Sequence, residues 1–211
     1  MKHIHNYYSP NDLYNTIIEG LGKSGKDLSE VTLDDLQPVD EFHIRGDAAT
    51  KELITLSDFT PDMHILDVGC GVGGSARRLA HETGCRVTGI DLSDEYIDAA
   101  ERLTQLLNMQ ERVKFHAASA LELPFDDNSF DYACLTTTLE FVDDAQKALE
   151  EACRVASNRI VLGVLNRYAI KGIERRIKGI FSKSIFNRAS FFSLWELKQS
   201  LREILGKVPI A

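Results

Sequence analysis

The sequence predicts an α/β fold of the Rossmann-like, doubly wound type, in which helices cover both faces of a mainly parallel sheet. Three observations support this prediction. From residue 64 onward, short apolar runs alternate with longer helical patterns, as in successive β-α units. The apolar runs are nearly continuous, which is typical of parallel strands that are buried on both faces. The first run also ends in a glycine-rich stretch, VGCGVGG, that leads directly into a helical pattern.

The elements follow one another in a regular order. The strand-like segments are residues 64–70, 85–92, 113–118, 130–137 and 159–166, and the helical segments between and after them are 74–84, 93–109, 143–156 and 193–206. Gly84 suits the left-handed end of the first helix. Ser93, followed by acidic residues, suits the start of the second. Residues 207–211 leave room for only one short further strand, so we predict six strands in all.

Residues 1–60 precede the first strand and are predicted to form a helical cap, whereas residues 61–211 form the sheet domain, and the two fold as one unit. Residues 11–25 and 48–59 have helical patterns, and an acidic segment joins them. This extension either folds over the carboxyl edge of the sheet or packs elsewhere on the domain, and composition leaves both alternatives open.

Composition restricts the class of protein. The chain of 211 residues is 44% hydrophobic and 27% charged, and no stretch approaches the ~20 apolar residues of a membrane span. The N-terminal stretch MKHIHNYYSPNDLY lacks the apolar core of a signal peptide, so we expect a cytoplasmic protein. The four cysteines and six histidines have no metal-ligand spacing, and no metal site is predicted.

The net charge of −8 is unevenly distributed. Residues 1–158 contain 13 Lys and Arg against 29 Asp and Glu, whereas residues 159–211 contain 11 against 3. The acidic body disfavours nucleic acid as a partner, because binding to phosphates relies on Lys and Arg. The basic C-terminal part is compatible with attraction of an acidic substrate.

The glycine-rich turn predicts a nucleotide-type ligand. Gly69, Gly71 and Gly74 match the dinucleotide pattern GxGxxG. Because glycine has no Cβ, the glycines of such a turn let a ligand approach the backbone at the carboxyl end of a strand. The alternative is that the glycines only shape a tight turn.

Two aspartates favour one kind of cofactor. Asp91 ends the second strand, where a carboxylate can accept hydrogen bonds from both ribose hydroxyls. Asp67 lies two residues before Gly69 and would repel the pyrophosphate of a nicotinamide cofactor. S-adenosylmethionine carries an amino group and a sulfonium but no phosphate, so its charge is complementary to Asp67.

These stretches resemble the class I S-adenosylmethionine-dependent methyltransferases. LDVGCGVGG is similar to their first motif and VTGIDLS to the second. The lead-in PVDEFHIRGDAAT (38–50) resembles the small-molecule branch typified by sarcosine/dimethylglycine, sterol, tocopherol and quinone-pathway enzymes. The resemblance covers residues 7 to about 165 and implies methyl transfer to a small organic acceptor such as an amine, a phenol or a quinone precursor. The C-terminal strand pair of that family is predicted to be incomplete here.

The resemblance also implies roles for individual residues. Asp67 and Gly69 would face the methionine part of S-adenosylmethionine, and Gly71 and Gly73 would allow its close approach. Asp91 would hold the ribose, and Leu92 would lie against the adenine. Ser119 would replace the aspartate that accepts a hydrogen bond from the adenine amino group. Thr136, with Thr137 and Thr138, would lie near the methyl group. Tyr8, with Tyr7, would close over the sulfonium. His43, and less so His3 or His5, is the candidate general base.

Alternatives to this function stay open at the level of sequence. A nicotinamide (NAD(P)-dependent) oxidoreductase would share the glycine turn and Asp91. A non-catalytic member of the fold that binds a partner would account for Ser119 and for the short C-terminus. Residues 167–192 are predicted to be a lid-like insertion, although the isoleucine stripe and basic residues of 167–181 also suit a helix on an anionic membrane surface. A homo-oligomer would cover the exposed edge of the sheet.

Overall fold

The computed structural model describes residues 12–40, 46–168 and 189–206. The α-helices are α1 (Leu13–Lys23), α2 (Leu33–Asp40), α3 (Asp47–Leu56), α4 (Gly74–Thr83), α5 (Asp94–Leu106), α6 (Ala145–Val155) and α7 (Leu194–Leu205), and a 3-10 helix spans Leu28–Glu30. The strands are β1 (His64–Val68), β2 (Arg86–Asp91), β3 (Val113–Ala117), β4 (Phe130–Thr136) and β5 (Ala156–Gly163). None of the described helices is long and apolar enough to span a bilayer.

The five described strands form one parallel sheet in the order β3-β2-β1-β4-β5. The chain order reverses between β1 and β4, so the crevice where ligands bind in such sheets lies at the carboxyl ends of these two strands. Asp67, near the end of β1, is paired in register with Gly89 of β2 and Cys134 of β4. The predicted fold class is therefore confirmed, and the predicted sixth strand falls on 207–211, outside the described residues.

Both faces of the sheet are covered by helices. One face packs its apolar side chains, such as Ile65 of β1, against α4 and α5. The other packs Leu66 and Val68 of the same strand against α6 and α7. Because successive side chains of a strand point to opposite faces, a continuous apolar run such as β1 fills both cores.

The N-terminal helices form a further layer on one side of the domain. Helix α1 packs on α5, and α2 and α3 pack on α4. A shared cluster holds this layer in place, and its buried members are Leu13, Ile17, Leu21, Leu36, Val72, Ala99 and Leu103. Of the two placements left open by the sequence, the described part of residues 1–60 therefore packs mainly against the helices α4 and α5.

Ion pairs attach the N-terminal layer to the sheet domain. The fully buried Arg77 of α4 donates to Asp40 at the end of α2 and also to the main-chain oxygen of Val72. Arg102 of α5 lies 2.7 Å from Asp12, which caps α1. Breaking a buried pair such as Arg77–Asp40 typically costs about 3–5 kcal/mol, because one charge is left without its partner.

Two local predictions differ from the structure. Helix α2 lies in the acidic segment that was expected only to join two helices, and it forms despite Pro38 within it. No local apolar pattern predicts this helix. It forms because α2 packs on α4 and buries Leu36 and Asp40. Strand β5 begins at Ala156, three residues earlier than predicted, and its first residues are exposed because they lie at the edge of the sheet.

Candidate cofactor site

The glycine-rich loop follows β1 with three glycines in left-handed conformations. The φ angles of Gly69, Gly71 and Gly73 are 76°, 55° and 83°. A Cβ at Gly69 would lie 2.5 Å from Oγ1 of Thr138, and one at Gly73 would lie 2.5 Å from the Phe115 ring. A Cβ at Gly71 would meet no atom within 4 Å. Packing therefore accounts for Gly69 and Gly73, whereas the open space at Gly71 is where a ligand can approach the backbone.

Asp91 is anchored at the end of β2 by main-chain donors. The N–H of Gly71 donates to one carboxylate oxygen and the N–H of Ser93 to the other, each at 3.0 Å. Burial raises the pKa of Asp91, and these hydrogen bonds oppose the rise. Each oxygen keeps a further lone pair, so the fixed carboxylate can still accept from two hydroxyls. Leu92, the next residue, is 53% exposed and therefore accessible to a ligand.

Asp67 is a buried acidic residue near the end of β1. It is 5% exposed, and its Oδ2 is buried with no hydrogen-bond partner in the part of the chain that the structure describes. Burial, together with the nearby charge of Asp91, raises the pKa of Asp67 to about 7. A buried carboxyl without a partner is costly unless a donor or a cation completes it. The amino group of S-adenosylmethionine is both a hydrogen-bond donor and a cation, so it would complete Oδ2, and Asp67 fits the predicted cofactor.

Two hydroxyl side chains lie beside Asp67. Thr50 of α3 and Ser75 of α4 line the same small cavity as Asp67, and their hydroxyl oxygens are 3.4 Å apart. The sequence did not identify them as site residues. Thr50 is the last residue of the PVDEFHIRGDAAT lead-in, which was a usable signal, whereas nothing local distinguishes Ser75.

The three threonines at the end of β4 and just after it, residues 136–138, differ in their surroundings. Thr136 lines the cavity at Asp67. Thr137 has a φ of 58°, which is unusual for a β-branched residue, and its N–H donates to the oxygen of Gly163 at 2.6 Å. The buried Thr138 donates through Oγ1 to the oxygen of Val68 at 2.7 Å. Thr136 is thus the threonine placed beside Asp67, and Thr138 braces the glycine-rich loop.

Ser119 lies in the turn after β3, three residues before its bridge partner Glu122. Its Oγ accepts a hydrogen bond from the N–H of Leu121 at 3.2 Å. The adenine contact of Ser119 stays a prediction, as do the other ligand contacts named above. His43 and Tyr8 lie outside the described residues.

The described residues contain no group of three or more His, Cys, Asp and Glu side chains able to hold a metal ion. Among the described residues, the crevice presents two carboxylates, hydroxyl groups and the open backbone at Gly71. This arrangement matches a cationic nucleoside in charge and in hydrogen-bonding capacity.

Comparison with known proteins agrees with this geometry. Residues 66–159 match the methyltransferase domain family model. Over this region the chain is similar to methyltransferase domains. The matched region runs from β1 into β5 and so includes Asp67, the glycine-rich loop and Asp91.

Individual relatives are small-molecule methyltransferases. Over 97 residues the chain is 43% identical to the ubiquinone/menaquinone biosynthesis C-methyltransferase UbiE of Rickettsia massiliae. The aligned region covers 44% of this chain and 39% of that protein. Over 94 residues it is 36% identical to norajmaline N-methyltransferase of Rauvolfia serpentina, which covers 44% and 32%. A solved S-adenosylmethionine-dependent methyltransferase of Thermotoga maritima superimposes with a TM-score of 0.59 at 28% identity, covering 72% of this chain and 68% of that one.

The chain spans less than half the length of the curated relatives that it matches. The comparisons support S-adenosylmethionine as the cofactor of this methyltransferase domain. They give no support to the oxidoreductase alternative, which shared only the glycine turn and Asp91 with the pattern.

Proposed function

We propose that this protein transfers the methyl group of S-adenosylmethionine to a small organic acceptor. The single observation that carries the proposal is the buried Oδ2 of Asp67, which has no hydrogen-bond partner among the described residues. S-adenosylmethionine would place its amino group toward Asp67 and its ribose hydroxyls on Asp91. A dinucleotide would instead bring its pyrophosphate toward an aspartate, which like charges disfavour.

The reaction is an in-line displacement. The bond between the methyl carbon and the sulfonium breaks as the acceptor forms its new bond to that carbon, and S-adenosylhomocysteine leaves. Since the donor is already activated, the protein contributes mainly proximity and alignment, which supply up to ~7–11 kcal/mol in favourable cases. A hydroxyl acceptor must also lose a proton to a base, and His43 is the proposed base.

The acceptor is proposed only as a chemical class. The two curated relatives differ in the methylated atom, nitrogen in one and carbon in the other. An amine, a phenol or a quinone precursor fits this range. The lid predicted for residues 167–192 falls largely outside the described residues, since 169–188 are among those not described, and it stays a proposal. Membrane contact through 167–181 is the alternative, which binding to anionic vesicles would favour. The cytoplasmic location and a homo-oligomer stay predictions.

Calorimetry tests the proposal directly. We expect heat on adding S-adenosylmethionine or S-adenosylhomocysteine and none on adding NAD⁺ or NADP⁺. Heat with a nicotinamide cofactor alone would overturn it. A labelled-methyl assay across amines, phenols and quinone precursors then separates an enzyme from a non-catalytic member of the fold, because tight binding with no turnover would favour the latter.

A further inference from the structure

The two described ends of the segment 169–188 are joined to each other. The main-chain N–H of Arg167 donates to the oxygen of Phe192 at 2.9 Å, and its guanidinium donates twice to the oxygen of Phe191, at 3.0 and 2.7 Å. A third guanidinium bond reaches Glu196 at 2.8 Å. Glu196 also closes the capping box of α7 with Ser193. We call residues 165–168 and 189–192 the neck.

Glu140 holds both sides of the neck. Its side chain is buried, with 1% exposed, and Oε1 accepts the N–H of Leu165. Its main-chain oxygen accepts the N–H of Ser190 at 2.8 Å. The second carboxyl oxygen, Oε2, is buried without a hydrogen-bond partner among the described residues, and burial raises the pKa of this carboxyl. A single residue thus bonds the chain before the segment and the chain after it.

The turn that carries Glu140, residues 137–141, also contacts the glycine-rich loop. Thr138 donates to the oxygen of Val68, and its side chain fills the space where a Cβ at Gly69 would lie. Thr137 keeps its left-handed φ of 58° while it donates to Gly163. Such a conformation persists only where surrounding contacts over-determine it. The turn is therefore held between the cofactor loop on one side and the neck on the other.

We propose that Glu140 is a positioning residue for methyl transfer, which fixes the neck relative to the glycine-rich loop and so couples the cofactor crevice to the chain that follows the carboxyl end of β5. This inference rests on the proposed function. Methyl transfer depends on alignment, and an acceptor side that shifts by about 1 Å loses much of the proximity effect. Glu140 acts through the chain segments that it holds and not through contact with the reacting atoms.

Hydrogen exchange followed by mass spectrometry tests the coupling, with S-adenosylhomocysteine as the probe. In the wild-type protein we expect the ligand to slow exchange in the glycine-rich loop and also in peptides that contain Leu165 and Ser190. In Glu140→Ala we expect at least tenfold faster exchange in the neck peptides and no slowing there by the ligand. Glu140→Gln keeps an oxygen that accepts from Leu165, so it should restore most of the wild-type response.

Glu151 provides the matched control. It is also buried, accepts the N–H of Leu123 and pairs with Arg154, and none of its hydrogen bonds to the described residues reaches the neck. Glu151→Ala should lower stability while the ligand still slows exchange in the neck. If Glu140→Ala and Glu151→Ala change exchange in the same way, or if Glu140→Gln behaves like Glu140→Ala, Glu140 is only structural and the proposal is overturned.

A second variant covers the case in which Glu140→Ala does not fold. Arg167→Gln removes the guanidinium bonds to Phe191 and Glu196 but leaves both bonds of Glu140 to the neck, so it should speed exchange in the neck while the ligand still slows it. Loss of the ligand effect in this variant would show that Arg167 and not Glu140 carries the coupling, and would overturn the proposal. Failure of the wild-type protein to bind S-adenosylhomocysteine would overturn the proposed function instead, and exchange in the unliganded variants would still show whether Glu140 holds the neck.

Discussion

The carboxyl ends of β1 and β4 lie side by side in the sheet, and near each of them is a buried carboxyl with one oxygen that has no hydrogen-bond partner among the described residues. Asp67, the next-to-last residue of β1, lines a cavity, and the loop after the strand contains Gly71, where an added Cβ would meet no described atom within 4 Å. After β4, Glu140 accepts main-chain hydrogen bonds, and the turn around it is bonded to Val68, Gly163 and the neck. Two buried carboxyls at the same edge of the sheet therefore have different uses: we assign Asp67 to a ligand, whereas Glu140 binds main-chain groups of the protein itself.

The largest expected effect tests the ligand side of this comparison. Asp67→Asn removes the charge that we assign to the amino group of the cofactor, and hydrogen bonds to charged groups are worth about 1.5–3 kcal/mol. Affinity for S-adenosylhomocysteine should fall about 10- to 100-fold in calorimetry. Affinity for 5′-methylthioadenosine, which lacks the amino-acid part, should change less than twofold. Equal losses for the two ligands would show that Asp67 does not face the amine.

The effect of pH on the affinity for S-adenosylhomocysteine is expected to be somewhat smaller than the effect of Asp67→Asn. The pKa of Asp67 is about 7, so below that pH its carboxyl must release a proton before it can pair with an amine. Affinity for S-adenosylhomocysteine should rise by up to about tenfold per pH unit toward pH 7. It should level off above about pH 7, where the carboxyl of Asp67 is already ionised. Calorimetry at half-unit steps from pH 5.5 to 8.5 measures this profile.

The unliganded protein provides the control for this pH effect, with the opposite sign. Because the native carboxyl binds a proton that the unfolded chain has released, the contribution of Asp67 to stability is present at low pH and is lost as pH rises toward 7. The thermal unfolding temperature of the wild-type protein should therefore approach that of Asp67→Asn, or fall below it, near neutral pH. Parallel curves for the two proteins between pH 4.5 and 7.5 would mean that the Asp67 pKa is not raised.

Gly71→Ala is expected to have a smaller effect, about tenfold on affinity for S-adenosylhomocysteine, because its methyl group occupies the space left for the ligand. Gly25 is the matched control, since its φ of 83° is also left-handed and a Cβ there also meets no atom within 4 Å. Both alanines carry a strain of about 1–2 kcal/mol, but only Gly71→Ala should weaken binding. Equal binding by the two variants would remove Gly71 from the site.

The smallest expected effect tests the turn after β4. Thr137→Gly relieves the left-handed conformation of a β-branched residue and should stabilise the fold by about 1 kcal/mol in denaturant unfolding. Thr136→Gly, in the strand itself, should destabilise it. A loss of stability in both variants would mean that Thr137 is not strained, and that the turn differs less from an ordinary loop than the comparison implies.

The sequence by itself determined the sheet, the glycine-rich loop and the positions of Asp67 and Asp91. These features are encoded locally, since strand periodicity, helix caps and left-handed glycines depend on residues a few positions apart. Ser93 caps α5 and Gly84 ends α4 in the left-handed conformation, as predicted.

Only the tertiary structure decided which of these groups are open to a ligand. Nothing local indicates that Gly69 and Gly73 pack against Thr138 and Phe115, or that Gly71 alone of the three faces open space. Helix α2 escaped prediction because Leu36 and the Asp40–Arg77 pair stabilise it from another part of the chain. Glu140 likewise gives no local signal, since its partners Leu165 and Ser190 are distant in sequence. Burial and pairing are properties of the assembled fold, and local patterns do not carry them.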